Sequence, residues 1–118
     1  MKPLLLALLA AAAFALPAAA ETRCGWVVNP TPANWWLTDS EGEWILSTQG
    51  GAEADGMELL PDFTTGDWVV TNGSSYGYGC ACMGVTTNRA EGRITKITSV
   101  RQLKLAKCEA DPALPAIQ

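Results

Sequence analysis

The feature that most restricts how this chain can fold is its set of four cysteines, Cys24, Cys80, Cys82 and Cys108, in only 118 residues. An even number of cysteines in so short a chain predicts two disulfides if the protein is exported. Cys80 and Cys82 are one residue apart, so on a strand both point to the same face, and a bond between them would close a strained small ring. We therefore expect Cys24 and Cys108 to pair with Cys80 and Cys82, in either of the two possible combinations.

The same segment has a second interpretation as a metal site. Cys80-Ala81-Cys82-Met83 places two thiols and a thioether close together, and such soft ligands suit cuprous ion. However, the chain has no histidine, the commonest metal ligand, and both cysteines have partners available for disulfides. We therefore expect no metal and no cofactor, and keep copper handling through this segment as an alternative.

Residues 1–20 have the pattern of a signal peptide. Lys2 supplies a weakly basic start, an apolar run covers residues 4–16, and three consecutive alanines end at Ala20. The run is too short to span a bilayer comfortably, and Cys24 lacks the small, aliphatic neighbours of a lipoprotein signal. We expect cleavage after Ala20, a location in the periplasm or outside the cell, and no membrane anchor on the mature protein.

Removal of this leader leaves an acidic chain with seven basic and twelve acidic residues, a net charge of −5. This charge disfavours a nucleic-acid partner, because nucleic-acid binding depends on lysines and arginines that neutralise phosphates. The charges are also segregated: residues 21–67 contain nine acids and one base, and residues 88–111 contain six bases and three acids. We expect the two segments to neutralise each other across a sheet; a molecule with an acidic side and a basic side is the alternative.

Turn residues divide residues 21–108 into short segments of strand-like composition, and no amphipathic helix of useful length is present. Asn72-Gly73 is the strongest two-residue turn signal. A strand that begins at Cys24 is expected to end at Val28, because the two prolines that follow cannot donate ladder hydrogen bonds. Leu103 and Leu105 predict a last short strand before Cys108.

Between these strands, Arg93 to Val100 has its apolar residues at every third position. This spacing predicts a bulge near Thr98 or Ser99, with a helical turn as the alternative. The whole pattern predicts a single all-β domain over residues 21–111: a small antiparallel barrel or sandwich of about six short strands, stapled by two disulfides. Residues 112–118, which contain two prolines, are expected to form a flexible tail.

The chain contains five tryptophans, and two of them are adjacent. On a strand, Trp35 and Trp36 must point to opposite faces, so one indole is expected to face outward or to line a groove. Flat aromatic rings beside polar groups are common at sugar-binding and protein-binding surfaces. The ligand-binding candidates are therefore Asn34, Trp35, Trp36 and Asp39; the alternative is that both indoles belong to a core covered by residues 49–67.

No set of residues in the sequence predicts catalysis. The serines lack a histidine base, and the cysteines are expected to be oxidised. Carboxylate pairs such as Glu41 with Glu43, or Asp62 with Asp67, are not placed in a cleft by any feature of the sequence. We therefore predict no catalytic residue and no enzyme activity.

Four segments occur together in a specific order and spacing: RCGW at 23–26, NPTPANWWLTD at 29–39, YGYGCAC at 76–82, and Cys108 followed by DPALP at 111–115. In this combination the chain resembles a family of small exported proteobacterial proteins known only as a domain of unknown function. The resemblance covers essentially all of the chain after the leader. It implies a periplasmic or secreted location and the four-cysteine pattern, and it implies no activity.

These observations lead to one functional expectation and one further alternative. We expect a non-catalytic binding module that uses residues 29–36, with help from the acidic residues of 49–67, to engage a protein or a glycan of the cell envelope. The net charge of −5 also suggests an inhibitor of a cationic enzyme that attacks the envelope, such as lysozyme.

Overall fold

Six β-strands make up most of residues 20–117, the part of the chain that this computed structural model describes. The strands are β1 (Glu21–Thr31), β2 (Asn34–Asp39), β3 (Gly42–Ser47), β4 (Trp68–Asn72), β5 (Tyr76–Asn88) and β6 (Arg93–Leu103). Two short 3-10 turns, Met57–Leu59 and Phe63–Thr65, lie between β3 and β4, and one short helix, α1 (Leu105–Glu109), follows β6. The predicted all-β class is confirmed. The predicted signal peptide, apart from Ala20, lies outside the described residues.

The strands form one sheet that closes on itself. Its order is β1-β2-β3-β6-β5-β4, and β1 also pairs with β5. All pairings are antiparallel except the short contact of β3 with β6, which consists of the parallel pair Ile45 and Arg93. There the N–H of Ile45 donates to the carbonyl of Gly92 at 2.9 Å. The expected small barrel or sandwich is therefore confirmed in the form of a ring-like sheet.

β5 is the central strand, because it pairs with β1 along one edge and with both β4 and β6 along the other. Both disulfides start from it. Cys24 of β1 lies directly opposite Cys82 and is bonded to it, with the two Cα atoms 4.0 Å apart. Cys80 lies opposite Trp26 and bonds instead to Cys108 in α1. The register of β1 on β5 thus selects one of the two predicted combinations.

The inner face of the ring contains the main hydrophobic core. Inward positions alternate with outward ones, as a pleated strand requires: Val27 is buried in the core, whereas Trp26 and Val28 point outward. The buried core residues are Val27, Leu37, Trp44, Leu46, Ala54, Phe63, Ala81, Met83, Val85, Ile94 and Ile97. A second, smaller cluster of Trp26, Cys80 and Cys108 lies on the outer side of the sheet.

Two predicted strand ends are wrong. β1 continues through Pro30 and ends at Thr31, just before Pro32. Its ladder with β2 is irregular between Val28 and Thr31, so Pro30 interrupts no regular hydrogen bond there. The expected strand at Leu103 and Leu105 is divided: β6 ends at Leu103, and Leu105 begins α1, which brings Cys108 to Cys80.

The bulge predicted in β6 is confirmed. The register of β6 on β5 shifts between Ile97 and Ser99, and a second shift lies between Ile94 and Lys96. Each shift adds a residue to β6, and the one between Ile94 and Lys96 lets Ile94 and Ile97, three positions apart, both lie in the core. No helix of the described residues is long and apolar enough to cross a membrane.

Candidate functional site

A row of apolar side chains crosses the outer face of the sheet. The pairing register aligns them one strand at a time, since each residue lies opposite the next. In spatial order, this outer row consists of Val69, Tyr78, Val28, Trp36 and Ile45. All five are partly exposed, while the residues that alternate with them, such as Val27 and Leu37, are buried inside the ring. The outer row is thus an apolar surface on the solvent side of the sheet.

A groove of about 360 Å³ lies beside Trp36 in the outer row. We call it the outer groove. Its lining residues are Trp26, Val28, Trp36, Thr38, Glu43, Pro115, Ala116 and Ile117. The strands supply one wall, because Trp26 pairs with Thr38 and Val28 pairs with Trp36 across β1 and β2. The C-terminal segment, residues 112–117, supplies the other.

The C-terminal segment, expected from the sequence to be flexible, lies against the sheet in this structure. Leu114 and Ile117 pack on the small outer cluster that contains Trp26 and both cysteines of the second disulfide. The indole N–H of Trp26 donates a hydrogen bond to the carbonyl of Pro115 at 3.0 Å. As a result Trp26 is only 3% exposed although it points outward.

The two adjacent indoles point to opposite faces, as their positions on a strand require. Trp36 lines the outer groove. Trp35 points to the core side, where its ring lies 5.9 Å from the ring of Phe63 and 6.4 Å from that of Trp68. It also lines a smaller depression of about 240 Å³. Phe63, which belongs to residues 49–67, therefore packs against Trp35. Among the described residues, no member of 49–67 lines the outer groove beside Trp36.

The other two ligand-binding candidates are engaged within the fold. Asp39 is 5% exposed and accepts hydrogen bonds from Arg23 at 2.7 Å and from the Trp44 indole at 3.0 Å. The side chain of Asn34 donates to Thr31 at 2.6 Å and accepts from the N–H of Gln49 at 2.8 Å. The carboxylate of Asp39 is therefore buried and already paired within the fold, and it does not line the outer groove. Asn34 holds the turn between β1 and β2 and does not line the outer groove.

A buried charge cluster around Arg23 was missed by the sequence analysis. Arg23 is 5% exposed, and its guanidinium contacts Glu21 at 3.0 Å, Asp39 at 2.7 Å and Glu41 at 2.6 Å. It also lies 3.9 Å from the ring centroid of Trp44, a cation–π distance. The signal that should have revealed the cluster is that Arg23 is the only base among nine acids in residues 21–67.

Ionisation in this cluster is mutually reinforced. Burial disfavours the charged guanidinium, but hydrogen bonds to Asp39 and Glu41 outweigh that effect and raise the pKa of Arg23. Hydrogen bonds from Arg23 and Arg89 lower the pKa of Glu41. Within the described residues, the pair of Arg89 and Glu41 at 3.1 Å is the ion pair that joins the acidic and basic segments, so neutralisation across the sheet is limited to this point.

The cysteine segment does not offer a copper site. All four cysteines are in disulfides, which leaves no thiolate to bind the metal. Met83 is fully buried in the inner core, on the opposite face from Cys82. Copper handling through this segment would therefore require the disulfides to be reduced first. Across residues 20–117, no three cysteines or acids cluster in a way that would hold a metal ion.

Comparison with known proteins gives one match. A family model described as a protein of unknown function, DUF4087, matches residues 18–115, a range that includes every strand, both disulfides and most of the C-terminal segment. No curated protein and no solved structure is detectably similar. The chain belongs to the DUF4087 family of proteins of unknown function.

Proposed function

We propose that this protein is an exported, non-catalytic module that binds another protein of the cell envelope through the outer groove. The observation that carries the proposal is the partly exposed indole of Trp36 at the edge of that groove, within an apolar row that crosses five strands. Two disulfides, typical of proteins in oxidising compartments, support the exported location.

The chemistry of the outer row favours a protein partner. Tryptophan and tyrosine are enriched among the residues that contribute most to protein–protein binding, because they offer large, rigid apolar area and one polar atom. Trp36 and Tyr78 stand in the row on either side of Val28, with Ile45 and Val69 at its ends. A contiguous apolar strip on the outside of a small domain is an expected feature of an interaction surface.

A glycan partner is less well supported. A sugar site needs several polar side chains that converge beside the aromatic ring and orient the hydroxyls. Asn34 and Asp39, which the sequence suggested for this role, are held by Thr31, Arg23 and other internal partners. Among the described residues that line the outer groove, Thr38 and Glu43 are the polar ones. Two polar side chains are enough for the rim of a protein interface but too few to orient the hydroxyls of a sugar.

The test is a binding experiment with a matched control. Proteins from the native exported fraction are captured on the immobilised wild type, and each candidate partner is then purified and its Kd measured directly. We expect Trp36→Ala to weaken binding at least tenfold, which corresponds to about 1.4 kcal/mol. Leu59→Ala removes another exposed apolar side chain, one outside the outer groove, and should leave Kd unchanged. A partner that binds Trp36→Ala as tightly as the wild type would refute the proposed surface.

A cationic lysozyme belongs in the same binding experiment. Glu43 lines the outer groove with an exposed side chain, and it is the one carboxylate to do so among the described residues. If the partner is cationic, Glu43→Gln should mainly slow association and reduce its salt dependence.

A further inference from the structure

The C-terminal segment crosses the outer face as a short peptide would. Asp111 starts it with a turn: its carbonyl accepts from the N–H of Leu114 at 3.2 Å, and its side chain accepts from the N–H of Ala113 at 2.9 Å. Residues 115–117 then run over Trp26 and form one wall of the outer groove.

We propose that the outer face around Trp26 is a peptide-binding site that takes a short, proline-containing apolar segment of the partner protein. The C-terminal segment is its intramolecular occupant, and the outer groove is the part of the site that this segment leaves open. The inference rests on the proposed binding function and names the chemistry of its ligand. Aromatic-lined grooves recognise proline-containing segments well, since proline loses little conformational freedom on binding.

The contacts of the C-terminal segment define what such a ligand must provide. A carbonyl that follows a proline ring accepts the indole N–H of Trp26. Two apolar side chains, Leu114 and Ile117, flank this carbonyl and pack on the outer cluster. A ligand of the pattern Leu-Pro-x-Ile therefore satisfies the donor and covers the apolar surface.

The occupant leaves much of the site open. Within the described residues, the hydrogen bond from Trp26 is the one that ties residues 115–117 to the strands. Cavities lie on both sides of the segment: the outer groove on the Trp36 side, and a second of about 400 Å³ on the side of Tyr78 and Cys108. Because a tethered segment competes at a high effective concentration, a partner must gain extra contacts, and Val28 and Trp36 in the outer groove offer them.

The experiment uses a synthetic peptide of residues 111–117 as the probe and the full chain as the receptor. Leu114→Asp/Ile117→Asp places two charges in apolar contacts and should release the C-terminal segment. We expect this variant to bind the peptide at least tenfold more tightly than the wild type, in a calorimetric titration. Ala113→Asp, at an exposed position of the same segment, is the charge control and should bind like the wild type.

A second, cleavable version of the protein gives a test that does not depend on the folding of the released variant. A protease site inserted after Asp111 lets the protein fold with its C-terminal segment in place, and cleavage then makes that segment exchangeable with labelled peptide. If the peptide binds neither the released variant nor the cleaved protein, the inference is overturned. Concentration-dependent dimers that exchange C-terminal segments would also overturn it, since the occupant would then be a second copy.

These results are separable from those of the proposed function. Peptide binding together with a partner that ignores Trp36→Ala would support the peptide site and refute the proposed partner surface. The opposite pair of results, no peptide binding with Trp36-dependent capture, would refute the peptide site alone.

Discussion

The buried carboxylate of Asp39 is a point at which the stability of this fold can be tested. Asp39 accepts hydrogen bonds from the guanidinium of Arg23, from the indole of Trp44 and from the backbone N–H of Glu41. Both Asp39 and Arg23 are 5% exposed. Asp39→Ala removes the acceptor and leaves the two buried donors of Arg23 and Trp44 to find other partners.

The expected cost follows from these contacts. Removal of one member of a buried ion pair costs about 3–5 kcal/mol. Arg23 keeps Glu21 and Glu41 as partners, which reduces that cost, whereas the Trp44 N–H loses its acceptor, which adds about 1–3 kcal/mol. We therefore expect Asp39→Ala to lower the free energy of unfolding by about 3–5 kcal/mol, a large part of the 5–15 kcal/mol that is typical of a domain.

Urea unfolding at pH 7, followed by tryptophan fluorescence, measures this change if the slope with denaturant stays constant. Glu43→Ala, which removes an exposed carboxylate from the neighbouring strand, should change stability by less than about 0.5 kcal/mol. Arg23→Met/Asp39→Leu replaces the central pair by apolar groups and should recover at least half of the loss. A loss below about 1 kcal/mol for Asp39→Ala, or no recovery in the double variant, would refute the reasoning.

Three further predictions concern pH, the disulfides and a glycine. Hydrogen bonds lower the pKa of Glu41 from its ordinary 4.5, so its stabilising contribution is present above that value and is lost as pH falls through the lower folded-state pKa; in urea titrations below pH 5, stability should therefore fall less steeply for Glu41→Gln than for the wild type. Mild reduction and alkylation, mapped by mass spectrometry, should open Cys24–Cys82 first, because Cys24 is exposed whereas both cysteines of Cys80–Cys108 are buried; earlier labelling of the buried pair would contradict this. Gly25→Ala should destabilise by about 1–3 kcal/mol in thermal unfolding, because the added Cβ would clash with the backbone carbonyl oxygen of Thr38.

Features set by local periodicity could be predicted from the sequence. Adjacent strand positions divide Trp35 and Trp36 between two faces whatever the topology, and the spacing of Ile97 and Val100 favoured a bulge near Thr98. The pairing of Cys80 and Cys82 with the two outer cysteines followed from ring strain alone.

Features set by contacts between distant segments could not be predicted in this way. The choice of Cys82 as the partner of Cys24 depends on the register of β1 on β5, and a slip of two residues would have selected Cys80. Asp39 was expected at a ligand site because its neighbours in the sequence do not reveal its internal partner. That partner, Arg23, lies 16 residues away on another strand. The proline content of residues 112–117 could not predict that this segment lies against the sheet, because the hydrogen bond that holds it there comes from the indole of Trp26, far away in the sequence.

The pairing of the first strand with the fifth has a consequence for how the chain folds as it is made. β1 is synthesised first, but its partner β5 begins 55 residues after β1 begins. The pairing of β1 with β5 therefore cannot form until most of the domain has been synthesised. Pairing over such a distance is intrinsically slow. Cys24 has two neighbouring candidate partners in β5, Cys80 and Cys82, and only the final register of β1 on β5 distinguishes them. We therefore expect oxidation before that register is set to give some chains the wrong bridge, and the native pair to form in them by thiol–disulfide exchange on a timescale of seconds to hours unless an isomerase assists.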